Sequence, residues 1–394
     1  MNTDNNRIRP AARVDETKEY YFARRQREVA RLNAEGRDIV SLGIGGPDRP
    51  PHPDVIETLC EYARRPDTHA YQISTGIPRL RENFARWYRR YYGVELNPAT
   101  EILPLIGSKE GVMHVSLTFL NPGDGVLVPN PGYPTYTSAS RIAGAEIYPY
   151  DLREENGWEP DFDALEKLPL EKIKVMWVNY PHMPTGTPAN RRLFEKIIDF
   201  GRRHNILIVH DNPYSFILNN GEHLSILQVD GAKDVAIEFN SLSKSHNMSG
   251  WRVGMVAGSE EFIGWIRKIK SNVDSGQFRP VMEAAACGLL LDDDWYEDIN
   301  REYRERRKIA EEIMTELGCS FDPNQVGLFL WGRIPDSEKN GEAVADRLLY
   351  EYGIFIAPGF IFGSNGDRYI RISICATKEN LQKALARIKA GPRH

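Results

Sequence analysis

Between about residues 70 and 258 short apolar runs alternate with amphipathic stretches. The runs at 125–129, 173–180, 206–211, 235–240 and 253–258 are rich in Val and Ile, which predicts strands buried on both faces of a sheet. Between two of them Leu193, Phe194, Ile197 and Ile198 mark one face of a helix. Strands alternating with helices predict a mostly parallel α/β sheet. The last third reads differently. A helix over roughly 294–317 should stop at Gly318, a residue suited to the left-handed position after a helix end. Strand-like segments follow at 326–334 and 369–375, with helices around 342–352 and from Lys378. Two long helices on a few short strands predict a smaller α+β domain. The expected division is an N-terminal arm (1–49) joining the small domain, a large domain (50–285) and a small C-terminal domain (286–394).

Composition narrows the classes. The 394 residues are 41% hydrophobic and 10% aromatic, enough to exclude a disordered chain. No run of about 18 apolar residues occurs, so no membrane span is expected. The first residues lack the apolar core of a secretory signal, which predicts a cytoplasmic protein. Lys and Arg number 50 against 55 Asp and Glu, a net charge of −5 without a basic block, so nucleic acid is not an expected partner. Arginines between 301 and 308 alternate with acids and read as a solvated helix face. Cys60, Cys287, Cys319 and Cys375 form no CxxC pair, so reduced thiols are expected and no metal site.

Candidate chemistry concentrates in three segments. In SLSKSHNMSGWRVGMVAG (241–258), Ser241, Ser243, Lys244 and Arg252 share one loop after a predicted strand, where an α/β sheet places its reactive groups. Hydroxyls and a guanidinium suit a phosphate, and an amine suits an aldehyde, the two halves of a phosphorylated aldehyde cofactor. In IGSKEGVMHV, Ser108 and Lys109 open a helix whose free N–H groups favour a phosphate, with Met113, Leu117 and Leu120 at helical spacing behind them. In ILIVHDNPY, Asp211 closes a buried-type strand and needs a partner such as a protonated pyridine nitrogen, while Tyr214 could reach a phenolic ring oxygen.

These segments resemble the class I/II aminotransferases of the fold type I pyridoxal 5′-phosphate (PLP) family over residues 20–371, with SxSK…GWRxG the most specific motif. The resemblance implies a large, mostly parallel α/β/α domain plus a smaller α+β domain, and PLP as cofactor. It makes Lys244 the Schiff-base lysine and proton shuttle, and Asp211 the partner of the pyridinium. Ser108, Lys109 through its backbone, Ser241, Ser243 and Arg252 become the phosphate cup, Tyr133 the ring-stacking aromatic and Tyr214 the ring-oxygen contact. Arg371 would grip the substrate carboxylate, with the Gly45 backbone against it. Tyr71 would reach across a homodimer interface to the neighbouring phosphate. The closest branch is that of the LL-diaminopimelate and alanine-type aminotransferases, where Tyr20 and Ser275 fall at substrate or cofactor contacts.

One position departs from the family. Its Asn-Pro-Thr-Gly turn supplies an asparagine to the ring oxygen, whereas here Met183 stands at that place, and a thioether cannot donate the bond. The loss should raise the imine pKa, with His182 and Asn179 as the polar neighbours able to compensate. The implied activity is ping-pong transfer of an amino group from an amino acid to a 2-oxo acid. The alternative is a PLP-dependent carbon–sulfur β-lyase, since the order Pro181–His182–Pro184 also occurs there. A PLP-binding transcription regulator would need a DNA-binding module that the 40 or so residues before Val40 cannot hold.

Overall fold

The structure, a computed structural model, describes residues 8–17, 19–219 and 221–392. Seven strands form the large sheet in the order β2 (Ile102–Leu105), β8 (Gly254–Ala257), β7 (Ala236–Ser241), β6 (Leu207–Asp211), β5 (Ile173–Val178), β3 (Gly125–Asn130), β4 (Glu146–Asp151). Neighbours from β7 to β4 run parallel, whereas β8 is antiparallel to both β7 and β2. Successive residues of one strand serve opposite cores. Val175 and Trp177 pack into one hydrophobic cluster, Met176 and Val178 into the other. Burial on both faces is why the Val/Ile runs are nearly continuous.

Helices cover both faces, and their ends follow local chemistry. The helix Arg191–His204 starts where the Asn190 side chain accepts the Leu193 N–H at 2.8 Å. Leu193, Phe194, Ile197 and Ile198 are all buried beneath it. The long helix Asp293–Glu316 is followed by Gly318 at φ 70°.

The C-terminal part contains the antiparallel sheet β11 (Ala357–Pro358), β12 (Tyr369–Ser373), β9 (Phe329–Arg333), with Arg371 opposite Trp331. A two-stranded parallel ladder joins β1 (Val40–Ser41) to β10 (Ile354–Phe355), tying the N-terminal segment to this part of the chain. Among the described residues no helix is long and apolar enough to cross a membrane.

One helix owes its packed face to a glycine, and one expectation is corrected. The helix Ser108–Phe119 buries Val112 and Val115, while Leu117 is 42% exposed and Met113 half-buried. The face turned to the sheet is set by Gly111, whose bare Cα lies against Leu105 and Phe239. The arginines of 301–308 are not uniformly solvated either. Arg306 is buried and binds Asp48 through both terminal nitrogens, at 2.7 and 3.0 Å, and the Cys375 carbonyl at 3.1 Å.

Candidate active site

The carboxyl ends of the parallel strands and the small sheet together enclose a cavity of about 500 Å³. Each strand delivers its groups by running out at the same edge. Tyr133 follows β3, Asn179 and Met183 follow β5, Asp211 ends β6 with Tyr214 just beyond, and Ser241, Ser243 and Lys244 close β7. This is the edge at which open α/β sheets bind ligands. Arg371 arrives from β12, and Tyr20, Phe22, Ile44 and Gly45 come from the N-terminal segment.

Asp211 is buried at the floor. Tyr136 donates to its Oδ2 at 2.7 Å, while Oδ1 has no hydrogen-bond partner. Tyr136 is itself fixed by a flat stack on Trp177, with centroids 4.9 Å apart. Burial pushes the Asp211 carboxyl up to about 6. A buried acceptor facing a cavity with nothing to accept from asks for a cationic N–H donor, and a protonated pyridine nitrogen meets that requirement.

The anion cup lies at the other end. The Ser108 N–H opens a twelve-residue helix. Ser241 caps the short helix Leu242–Ser245 by accepting the Ser243 N–H at 3.2 Å. Arg252 adopts a left-handed backbone at φ 58°, and its guanidinium is held by the Ser249 carbonyl at 2.8 Å and Ser243 Oγ at 3.5 Å. Gly107, at φ 80°, gives the guanidinium room, since a Cβ there would collide with Nη2. Among the described residues Arg252 pairs with no carboxylate, and two hydroxyls and helix N–H groups surround the same space. The donor set fits a phosphate monoester, and with the orphaned Asp211 oxygen it fits PLP.

Lys244 is half-buried, and Nζ donates to the Gly45 carbonyl. Burial pulls the ammonium below its ordinary range, and the nearby Arg371 and Arg252 add to the fall. A lysine that sheds its proton readily is suited to act as nucleophile and base. Arg371 is also buried, with Nη2 on the Gly43 carbonyl at 3.0 Å and Nη1 on Met183 Sδ at 3.2 Å. Nε has no partner, and the guanidinium sits over the rings of Phe329, Phe362 and Phe22 at 3.8, 4.6 and 5.5 Å. Its burial pulls the pKa down to about 10. A buried guanidinium with a weak sulfur acceptor and no acid is set to take a carboxylate.

The cavity brings together Lys244, Ser108, Lys109, Tyr133, Asp211, Tyr214, Ser241, Ser243, Arg252, Arg371, Gly45 and Tyr20. Lys109 also offers its side chain, with Nζ 4.3 Å over the Tyr20 ring. Tyr71 and Ser275 are not brought in. Both are exposed, Tyr71 at 94%, and neither lines the cavity of a single chain. Both expected compensators already have protein partners, and Asn179, which lines the cavity, uses one of its two amide N–H groups. Asn179 donates to the Asp211 carbonyl and accepts the Met183 N–H, and His182 bonds Thr185 outside the cavity lining. Tyr136 and the three phenylalanines around Arg371 were not legible as site residues. Tyr136 lies in the first turn of the helix Pro134–Ile142, just after Tyr133. Among the described residues one group, Glu110, His114 and Asp274, has metal-ligand composition, and the buried Lys270 ammonium already lies between its carboxylates.

Residues 37–388 match the family described as aminotransferase class I and II. The chain is 43% identical to the LL-diaminopimelate aminotransferase of Oleidesulfovibrio alaskensis over 94% of its own length and 95% of that protein's. It is 41% identical to the enzyme of the same name from Aquifex aeolicus, over 94% and 96% of the two lengths. Among solved structures, apo-BacF from Bacillus subtilis superposes with a TM-score of 0.93 at 36% identity, covering 97% of this chain and 98% of the other.

Proposed function

This chain belongs to the class I and II aminotransferases, PLP-dependent enzymes that move amino groups between amino acids and 2-oxo acids, and from that premise we propose how its own residues do the work. The observation that carries the assignment is the meeting, in one cavity, of a half-buried lysine, a buried carboxylate with one orphaned oxygen and a buried arginine with no acid among the described residues. PLP when bound supplies the carbonyl carbon that receives the amino group and a ring that takes up electron density from the substrate Cα. Asp211 would hold a proton on the ring nitrogen. Ser108, Ser241, Ser243, Arg252 and the Lys109 backbone would hold the phosphate, Tyr133 would stack on the ring and Tyr214 would meet the ring oxygen. Arg371 binds the substrate α-carboxylate beside the Gly43–Gly45 backbone and so orients Cα towards Lys244. Lys244, with its lowered proton affinity, carries the cofactor at rest and then moves the Cα proton.

The reading extends to a cytoplasmic homodimer with shared sites, in which Tyr71 and Ser275 reach the neighbouring cavity. Their exposure in one chain supports this, as does the apolar Ile73, 65% exposed beside Tyr71. A division into an arm (1–49), a large domain (50–285) and a small domain (286–394) belongs to the same proposal. The relatives that bear the LL-diaminopimelate name are aminotransferases, which favours group transfer over the carbon–sulfur lyase.

Borohydride treatment of the PLP-loaded protein tests the role of Lys244. The cofactor should become fixed to the peptide bearing Lys244, and Lys244→Ala should remove both this mass increment and turnover while the protein still binds PLP reversibly. Fixation elsewhere, or turnover retained in the variant, overturns the assignment.

A further inference from the structure

The phosphate cup is assembled from pieces far apart in the chain. The helix Ser108–Phe119 forms one side and Arg252 the other, and they meet at Gly107, against which the guanidinium lies. On the helix side, Glu110 Oε2 accepts the Ile106 N–H at 2.6 Å, which fixes the turn into Gly107. Its Oε1 lies 2.8 Å from His114 Nε2 and 3.9 Å from the ammonium of Lys270.

Lys270 ends the helix Glu260–Lys270 and is 1% exposed. Nζ donates to Asp274 Oδ2, and Asp274 Oδ1 accepts the Gly276 N–H at 2.8 Å. Gly276, at φ 82°, presses on the segment next to Tyr71, since a Cβ there would come within 2.6 Å of the Ile73 carbonyl oxygen. The next residue turns to Arg252. The Gln277 amide donates to the Trp251 carbonyl at 3.1 Å and to the Arg252 carbonyl at 2.7 Å. These carbonyls belong to the peptides on either side of the Arg252 Cα. One amide thus fixes a left-handed backbone that a residue with a Cβ adopts only at a cost. The loop 274–277 is tied at its start to Lys270 and at its end to Arg252.

Lys270, Glu110, Asp274 and Gln277 all lie outside the cavity lining, so they act on a bound cofactor through the cup. Burying an ammonium between carboxylates adds little net stability, because desolvation offsets the attraction. What such a group can supply is position, as the support behind residues that touch a ligand.

We propose, resting on the aminotransferase reading, that Lys270 is a positioning residue for the cofactor phosphate. Its ammonium, bound to Asp274 and facing Glu110, keeps the loop that holds Arg252 in register with the helix that opens the cup.

PLP and pyridoxal, which lacks the phosphate, separate this role from general support of the fold. Fluorescence titration of each into the cofactor-free protein gives a ratio of affinities that reports the phosphate alone, and the native chain should favour PLP. In Lys270→Met the ratio should fall about tenfold, as for the loss of a charged hydrogen bond, while pyridoxal affinity stays within about twofold. Gln277→Ala leaves the buried ions in place and should lower the ratio in the same direction, so it carries the test if Lys270→Met does not fold. An unchanged ratio in either variant overturns the proposal and leaves the aminotransferase reading standing. Equal loss of PLP and pyridoxal affinity in Lys270→Met also overturns it, since that marks a structural role only. A native chain that binds both ligands alike has no phosphate to position, and the cofactor reading falls with the proposal.

Discussion

Asp211 stores a cost in the cofactor-free protein that loading with PLP is built to relieve. Its carboxyl is pushed up to about 6 by burial, from an ordinary value of 3.8, so between those values the folded state holds a proton that the unfolded chain has lost. Stability of the cofactor-free protein should therefore fall as pH rises from about 4 to 6 and then level off. Asp211→Asn keeps an acceptor for Tyr136 and escapes the loss. Urea unfolding at pH 7.5 should show the variant more stable by up to about 3 kcal/mol, with the difference gone at pH 3.5. Equal stability at pH 7.5 would remove the desolvation argument. Met183 shows how far a single residue could be read. That it replaces the family's asparagine was visible in the chain. That its sulfur would accept from Arg371 at 3.2 Å was not, because the two are 188 positions apart and meet only when both sheets are assembled.

At the scale of elements, the buried strands were legible because both faces impose the same demand: β5, β6 and β8 form within the predicted runs, and β3 and β7 extend one residue beyond theirs. The two edge strands were not. β2 contains Pro104 and β4 contains Pro149, and each pairs on one side only. An edge tolerates a residue without an N–H, so the pattern that marks a strand weakens where the sheet stops. Helix Ser108–Phe119 starts where the sequence placed it, while the face it turns to the sheet was not legible, because Gly111 contributes to packing by what it lacks. The loop before that helix carries a specific requirement. Gly107 combines φ 80° with ψ 153°, a region that residues with a Cβ enter at a cost of about 1–3 kcal/mol, and its missing side chain makes room for Arg252. Gly107→Ala should displace that guanidinium and weaken PLP binding by about 10-fold or more, as the loss of a charged hydrogen bond does. Fluorescence titration of the cofactor-free variant measures this, and unchanged affinity would show that Arg252 does not hold the phosphate.

For the whole molecule, the cavity joins three stretches far apart in sequence: the N-terminal segment around Tyr20, the strand ends of the large sheet and Arg371 from the small one. The sequence marked residues in all three, Tyr20 and Gly45 among them, whereas the contacts of Phe22 with Tyr20 and Phe362 exist only through packing. A shared homodimeric site makes a quantitative claim at this scale. When Lys244→Ala and Tyr71→Ala proteins are unfolded and refolded together in equal amounts, half of the dimers should be mixed, and each mixed dimer holds one intact site. Activity should recover to about a quarter of the native level, whereas each variant alone stays near zero. No recovery would place Tyr71 outside the neighbouring site. The central claim, transfer of an amino group through one cavity, is tested most directly by counting 2-oxo acid released when the PLP-loaded protein meets an amino acid with no acceptor present. One equivalent per site should appear and then stop, and release should resume on adding a 2-oxo acid of different structure. Continuous release of product without an acceptor, or none at all with any amino acid, would contradict it.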